Sequence, residues 1–470
     1  MGFRNRSRRW IVGLLLALGI PPLAAQDGQL DPGFGGNGTA FRAVDLDTEA
    51  RDLARALAVQ PDGHFLVAGS ASDDDGEVTK AVVMRVRPDG SPDPAFASGG
   101  VFVLDFSVLG LGYVQGSATS VDLDAAGRIL VAGHLRDGTT DRPLLFRLTP
   151  SGTLDPTFFG DGVAAGSLAG EARDVDVDRA TGVVWAVGTT TTGWIWTWRW
   201  QTGTPAEQQW LVPGADQQTG QRIVVQPDGK PILAGSFVAT GSTDYDLLVA
   251  RLLADGTASD PSFGGGGLAT HGFDVAPPDY DDDVVLDLAL DAEGRVVVFA
   301  ETEVGPGTFD SASDLGFLRL TAAGAPDPTF GTGGSARVSF LGSGARDAWY
   351  EGGLAVQGDG RIVAGSTPGG SPFSVQAGAL RLNENGTLDL PFGGGGTGRI
   401  LIDLEPNGGG GDERCGFAAI GLEAGRVVGA GSSEWNDPDF DFGFARLTNA
   451  YLFVDGFEIG SAFFWSATAP

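Results

Sequence analysis

Apolar and polar positions along the chain fall into two recurring strand patterns. Segments such as SVDLD (120–124) alternate polar and apolar residues, the mark of a strand with one buried face. Segments such as RILVAG (128–133) are apolar on both parities and predict strands buried on both faces. Asp-Gly turns (Asp62-Gly63, Asp228-Gly229, Asp359-Gly360) separate the two kinds, the usual chemistry of a tight hairpin. A strand such as VFVLDF (101–106) precedes them, and an Arg-centred strand, FRL (146–148), follows them.

This order repeats. An Asp-Pro-x-Phe turn begins at Asp31, Asp93, Asp155, Asp260 and Asp327, and again as Asp389-Leu-Pro-Phe392, at spacings of 62, 62, 105, 67 and 62 residues. The doubly apolar strand recurs at 64–69, 128–133, 183–188, 230–235, 295–300, 361–365 and 426–431. The central arginine recurs as Arg85, Arg147, Arg199, Arg251, Arg319, Arg381 and Arg446. Seven units therefore fit, the third shortened and without its Asp-Pro turn, and residues 31–450 give about 60 residues per unit. Four short strands in each of seven repeats predict an all-β fold, a seven-bladed β-propeller. The array begins with the Asp31 turn and GTAFRAV (38–44) and ends with the Arg446 strand. The two ends thus supply complementary parts of one blade, as closure of a ring requires. In each turn, Pro fixes its own φ, the Asp carboxylate can accept nearby backbone N–H groups, and the Phe is expected to plug the gap between neighbouring units.

The pattern Arg-Leu-x-x-x-Gly-x-Leu-Asp-x-x-Phe-Gly resembles the delta-60 repeat of extracellular bacterial proteins. It stands here as Arg147-Leu148 through Phe158, together with Gly127-Arg128-Ile129 through Gly133. The resemblance spans roughly residues 30–448 and implies a propeller-like fold, with no activity attached.

Composition narrows the partners. With 76 Gly and 26 Pro but 42% hydrophobic residues, the chain can build a core between many turns. The net charge is -30, and nearer -34 without Arg4, Arg6, Arg8 and Arg9. Such a surface repels nucleic acid and anionic lipid. Residues 1–25 read as a signal peptide: arginines, the apolar run 11–20, then Leu23-Ala24-Ala25. General secretion and twin-arginine export are both open, and no later stretch is apolar enough to span a bilayer. An exported chain, extracellular, on the outer cell surface or periplasmic, is expected. The single cysteine, Cys415, allows no intramolecular disulfide and is expected to be buried. The tail, 451–470, holds Asp455-Gly456-Phe457-Glu458 and Trp465. It fits either a sorting motif or a drifted eighth turn.

Candidate chemistry is thin. His64, His134 and His271 lie in different repeats and registers and form no obvious metal trio. The G-x-G-x-x-G matches at 33–38 and 393–398 are turns of the repeat, not a dinucleotide site, so no cofactor is expected. Acidic loops offer Asp73, Asp75, Asp281, Asp283, Asp439 and Asp441 as candidate calcium ligands, with solvated charge as the plainer reading. Asp174, Asp176 and Asp178 alternate with valines and read as a polar strand face. Trp194, Trp196, Trp198 and Trp200 alternate on one face. They read as packing between blades or as an aromatic platform for sugar rings. The reading that follows is a monomeric, secreted, non-enzymatic binding or protein-interaction scaffold for a protein or glycan ligand. The alternatives are a calcium-assisted propeller hydrolase of lactones, esters or sugars, and a cell-surface structural or adhesive protein.

Overall fold

A computed structural model describes residues 27–449 except 45, 47–50, 73–78, 107–114, 137–138, 202, 204–205, 211, 213, 274–281, 305–311, 343–345, 349–350, 372–373, 405–414 and 437–438. The leader and the tail lie outside the described residues.

Among the described residues, strands pair into seven antiparallel sheets, each built on four strand positions, beside a two-stranded ribbon of Gly369–Ser371 and Ser374–Val375. Blade 1 runs Asp52–Val59, Phe65–Ser72, Thr79–Val86 and Val101–Val103. The first strands of the following blades are Gln115–Leu123, Gly170–Val177, Ala215–Gln218 with Arg222–Val225, Asp283–Leu290, Gly352–Val356 and Cys415–Glu423. Each first strand packs on those of its two neighbours, and the last packs on the first. These strands therefore surround the axis of a seven-bladed propeller. The outer position of blade 7 is filled by Thr39–Arg42, which pairs with Asp439–Leu447, Thr39 opposite Ala445. The two chain ends close the ring through one sheet, as the half-repeats at the ends of the array predict. The strand 101–106 that opens a sequence repeat proves to be the outer strand of the preceding blade. No helix among the described residues is long and apolar enough to cross a membrane.

The core is not one cluster but seven, each shared by two neighbouring blades. This follows from the doubly apolar second strands, whose two faces pack on the blades before and after. The Phe of each Asp-Pro-x-Phe turn (Phe34, Phe96, Phe158, Phe263, Phe330, and Phe392 of the variant turn) is fully buried. A glycine of the next blade's hairpin lies against it. A Cβ on Gly152 would sit 2.7 Å from the Phe96 ring.

The repeated arginine ties these pieces together. Arg319 Nε donates to Asp327 Oδ2 at 2.7 Å, Nη2 donates to Thr329 Oγ1 at 2.9 Å, and Nη1 donates to the Glu384 carbonyl of the next blade at 2.6 Å. Its guanidinium lies 4.7 Å from the centroid of Phe330. Equivalent Arg–Asp pairs form at Arg85–Asp93, Arg147–Asp155, Arg251–Asp260, Arg381–Asp389 and Arg446–Asp31. In several blades the residue after the Asp-Gly-type turn adds a second contact, longer in Arg128–Asp155 at 3.8 Å and Arg295–Asp327 at 3.7 Å, and as short as the first in Lys230–Asp260 at 2.9 Å. His64 holds that position in blade 1, with Nε2 3.9 Å from Asp93.

Blade 3 lacks the Asp-Pro turn, and its Arg199 finds other partners. Nε donates to the Ala254 carbonyl at 3.2 Å, and the guanidinium lies 5.7 Å from the Trp185 ring. The hairpin glycine of blade 4, Gly256, rests on that ring, where a Cβ would come within 2.7 Å. Trp185 thus fills the place of the missing phenylalanine.

Candidate functional site

Charged side chains from several blades line the axis. In five blades the pairing of the first strand with the second skips one residue, at Arg55, Thr119, Arg173, Leu286 and Ala418. In blade 4 the first strand is interrupted between Gln218 and Arg222. A bulge re-aims the side chain it frees, and Arg55 and Arg173 line the axial cavity. The bulge also brings the first-strand backbone onto the second strand. A Cβ on Gly69, Gly133 or Gly188 would lie 1.9 Å from the carbonyl oxygen of Leu53, Ser117 or Glu171. The recurring glycine that ends the second strand is therefore the sequence trace of the bulge. Blade 5, bulged with Ala300 at that place, and blade 6, with Gly365 but no bulge, depart from this rule.

One end of the axis opens into a cavity of about 370 Å³ with lining residues from all seven blades. Its charged groups come from different blades: Arg55, His134, Glu171 and Arg173, Arg222, and Glu351. Arg55 pairs with Glu351 across the mouth, and Arg173 pairs with Glu171. Arg222 stands 3.6 Å from Asp287 and donates Nη1 to the Gln221 carbonyl at 3.0 Å. Burial holds His134 below the usual imidazole range, while Glu171 and Asp141 pull it the other way.

Below the mouth the axis narrows, with a further cavity of about 270 Å³ that shares Arg55 and Arg222. Four carboxylates line it: Asp122, Asp174, Asp176 and Asp287. They stitch the open edges of the first strands. Asp174 accepts Ser120 Oγ of blade 2 at 2.5 Å and the Ile223 N–H of blade 4 at 2.8 Å. Asp176 accepts the Val225 N–H at 2.6 Å, and Asp287 accepts the Leu354 N–H of blade 6 at 2.7 Å. Protein surrounds these groups on every side although water can reach them along the axis. Burial pushes Asp174 up to about 6, against the opposing pull of Arg222 and the hydrogen bonds. It raises Asp287 as well. Asp176 is held well above the ordinary range by burial and by the charge of Asp122. Asp122, which Arg179 contacts at 2.6 Å, is raised by its own burial.

The residues singled out in the sequence fall elsewhere. Asp73, Asp75 and Asp281 lie outside the described residues, as does the side chain of Asp439. Asp283 starts the first strand of blade 5 with its buried carboxylate accepting the Phe273 N–H at 2.7 Å, and Asp441 lies in blade 7. Among the described residues no group of three or more His, Cys, Asp or Glu side chains is placed to hold a metal ion. Trp196, Trp198 and Trp200 are buried between blades 2 and 3, where Trp200 meets Phe158 edge-on at 4.7 Å. Trp194, in the preceding turn, is 37% exposed. A sugar ring could reach the other three only by parting the two blades. Cys415 is buried, its thiol 3.8 Å from the Ile402 carbonyl.

Three segments of the chain, 60–96, 127–158 and 226–263, match the family described as "Domain of unknown function (DUF5122) beta-propeller". These three segments are thus similar to a propeller repeat family. No curated relative matches the chain. Among solved structures, similarity is found to a protein of unknown function from Dyadobacter fermentans, at 13% identity and TM-score 0.43, covering 88% of this chain and 99% of that one. The propeller domain of the Trilobed protease from Pyrococcus furiosus is similar at 8% identity and TM-score 0.41, covering 87% and 98%. A Trypanosoma rangeli sialidase in complex with sialic acid is similar at 13% identity and TM-score 0.44, covering 90% of this chain and 60% of that one. Resemblances this distant say nothing of activity.

Proposed function

We propose that the chain is an exported, non-enzymatic binding scaffold of delta-60-type repeats, and that the axial mouth receives its ligand, a glycan or a segment of protein. One observation carries the reading. Side chains of opposite charge from several blades, two of them freed by strand bulges, converge on one cavity of about 370 Å³, within the usual range of ligand sites. Closure of the ring fixes the backbone that carries these side chains, because each first strand packs on those of both neighbouring blades. The Arg-led apolar leader supports export.

A hydrolase is the second reading, favoured by the two neighbouring buried carboxyls Asp122 and Asp176, both raised, a feature of acid–base sites. Both Asp176 oxygens, however, accept backbone N–H groups, from Val177 and Val225. That anchoring suits a wall better than a reacting group.

Screening the full chain beside the Arg173→Gln variant on arrays of glycans and peptides tests the proposal. Ligands retained by the parent chain and lost by the variant are expected. Retention that is indifferent to Arg173 would place binding elsewhere and overturn it.

A further inference from the structure

The charge and hydrogen-bonding pattern of the mouth narrows the ligand. The chain holds 60 Asp and Glu against 30 Lys and Arg, yet three arginines from blades 1, 3 and 4 meet at this cavity. Two glutamates oppose them there, so within the mouth itself the arginines outnumber the carboxylates by one, in a molecule where acids predominate twofold. Each guanidinium has five N–H donors in a planar fork. Arg55 and Arg173 each meet one glutamate, which orients the fork without exhausting it. Between the arginines stand the hydroxyls of Ser117 and Thr119 and the amide of Gln221. The two hydroxyls give their protons to the Ala118 and Ala172 carbonyls and offer their oxygens as acceptors, while the amide can both donate and accept, as neighbouring hydroxyls on a ligand require.

We propose, resting on the binding reading above, that the mouth takes a carboxylate carried on a polyhydroxylated body, with a uronic acid residue of an acidic glycan as its type. The carboxylate lies among Arg55, Arg173 and Arg222, and the hydroxyls face Ser117, Thr119 and Gln221. The glutamates serve as acceptors for further ligand hydroxyls.

Other charged groups facing the axis give the binding a pH signature. Blade 2 contributes His134 and Asp122, blade 3 contributes Asp174, Asp176 and Arg179, and blade 5 contributes Asp287. The blade 7 lining residues, Ala418, Ala419 and Ile420, are uncharged. Asp174 is largely protonated below about 6 and ionised above it. Its ionisation sets a negative charge beneath the arginines, so a carboxylate binds more tightly in mild acid than in mild base.

Calorimetric titration of the full chain with trigalacturonate and with its methyl ester, at pH 5.5 and 8, tests the assignment. The acid should bind at least about tenfold more tightly than the ester, a loss typical of charge-assisted hydrogen bonds. Its affinity should fall several-fold from pH 5.5 to 8. Arg173→Gln and Arg222→Gln should each weaken binding about ten- to a hundredfold, and Arg173→Lys, which keeps charge but not the fork, should fall between. Arg222 lies beside Asp287, so its loss can also disturb folding. The Arg173 variants carry the test if the Arg222 variant melts early, because Arg173 is 38% exposed and its partner Glu171 is 30% exposed. Equal affinity for acid and ester, with both dependent on Arg173, would overturn the carboxylate assignment and leave the mouth as a binding site. Absence of any Arg173-dependent binding, here and on the arrays, would overturn the binding reading too.

Discussion

Replacing Arg319 with alanine should lower the unfolding free energy by about 3 kcal/mol, the low end of the cost of breaking a buried ion pair. Arg319 is 1% exposed and Asp327 is 3% exposed. The substitution strands the carboxylate, frees the Glu384 carbonyl from its partner and uncovers the face of Phe330. The value sits at the low end because Asp327 keeps two bonds from Thr329 and a distant contact with Arg295. Arg199→Ala is the internal control. It occupies the same place in blade 3 with no Asp-Pro turn to pair with, and should cost about 1 kcal/mol or less. Urea unfolding of the two variants beside the parent chain measures the difference. Equal costs would mean that the Arg–Asp–Phe unit does not hold the blades together.

Stability should be greatest in mild acid and should decline toward pH 8. Asp174 and Asp347 are both raised by burial to about 6, from an ordinary 3.8. A carboxyl raised in the folded state takes up a proton on folding. Its stabilisation is complete below about 4 and is lost as pH rises through about 6. Each contributes about 2 kcal/mol to the decline, a value discounted for relaxation around the charge and, at Asp174, for water on the axis. Asp176 and Asp287 act in the same direction. The ion-paired Asp93, Asp155 and Asp327 are lowered, so their contribution is lost only as pH falls below the ordinary carboxylate range. Relief of the -30 net charge adds to the acid-side gain. Thermal melts from pH 3.5 to 8.5 should pass through a maximum between about 4 and 6. In Asp347→Asn, whose side chain copies the protonated acid and can still accept the Phe340 or Leu341 N–H, the decline toward pH 8 should be shallower. A melting temperature that climbs steadily to pH 8 would contradict the assigned proton uptake.

The fold was legible because its markers are local. A Gly turn, an Asp-Pro-x-Phe turn and an arginine each act within a few residues of their own position, so repetition exposes them. The closing blade could be read from half-repeats at the two ends, and Thr39–Arg42 does complete it. The weak third unit was legible as a gap, but not its remedy, because Trp185 reaches across to Gly256 of the next blade. The mouth was illegible for a related reason. Arg55, Arg173, Arg222 and Glu351 sit one per blade, in no shared motif, and meet only when the ring closes. Their faint signal was the second-strand glycine, which records the bulge without naming the residue that the bulge frees. The alternation of Asp174, Asp176 and Asp178 pointed correctly to one strand face for the first two, but not to the axis that this face lines, and Asp178 falls past the strand end in the hairpin turn.

Proton NMR of the tightest-binding ligand, held with the full chain for a day at pH 5.5, tests the central claim most directly. A scaffold with a binding mouth should broaden the ligand resonances, lose that broadening in Arg173→Gln, and return the ligand chemically unchanged. New resonances that accumulate with the parent chain and not with Asp176→Asn would contradict the account and make the axis the active site of an enzyme.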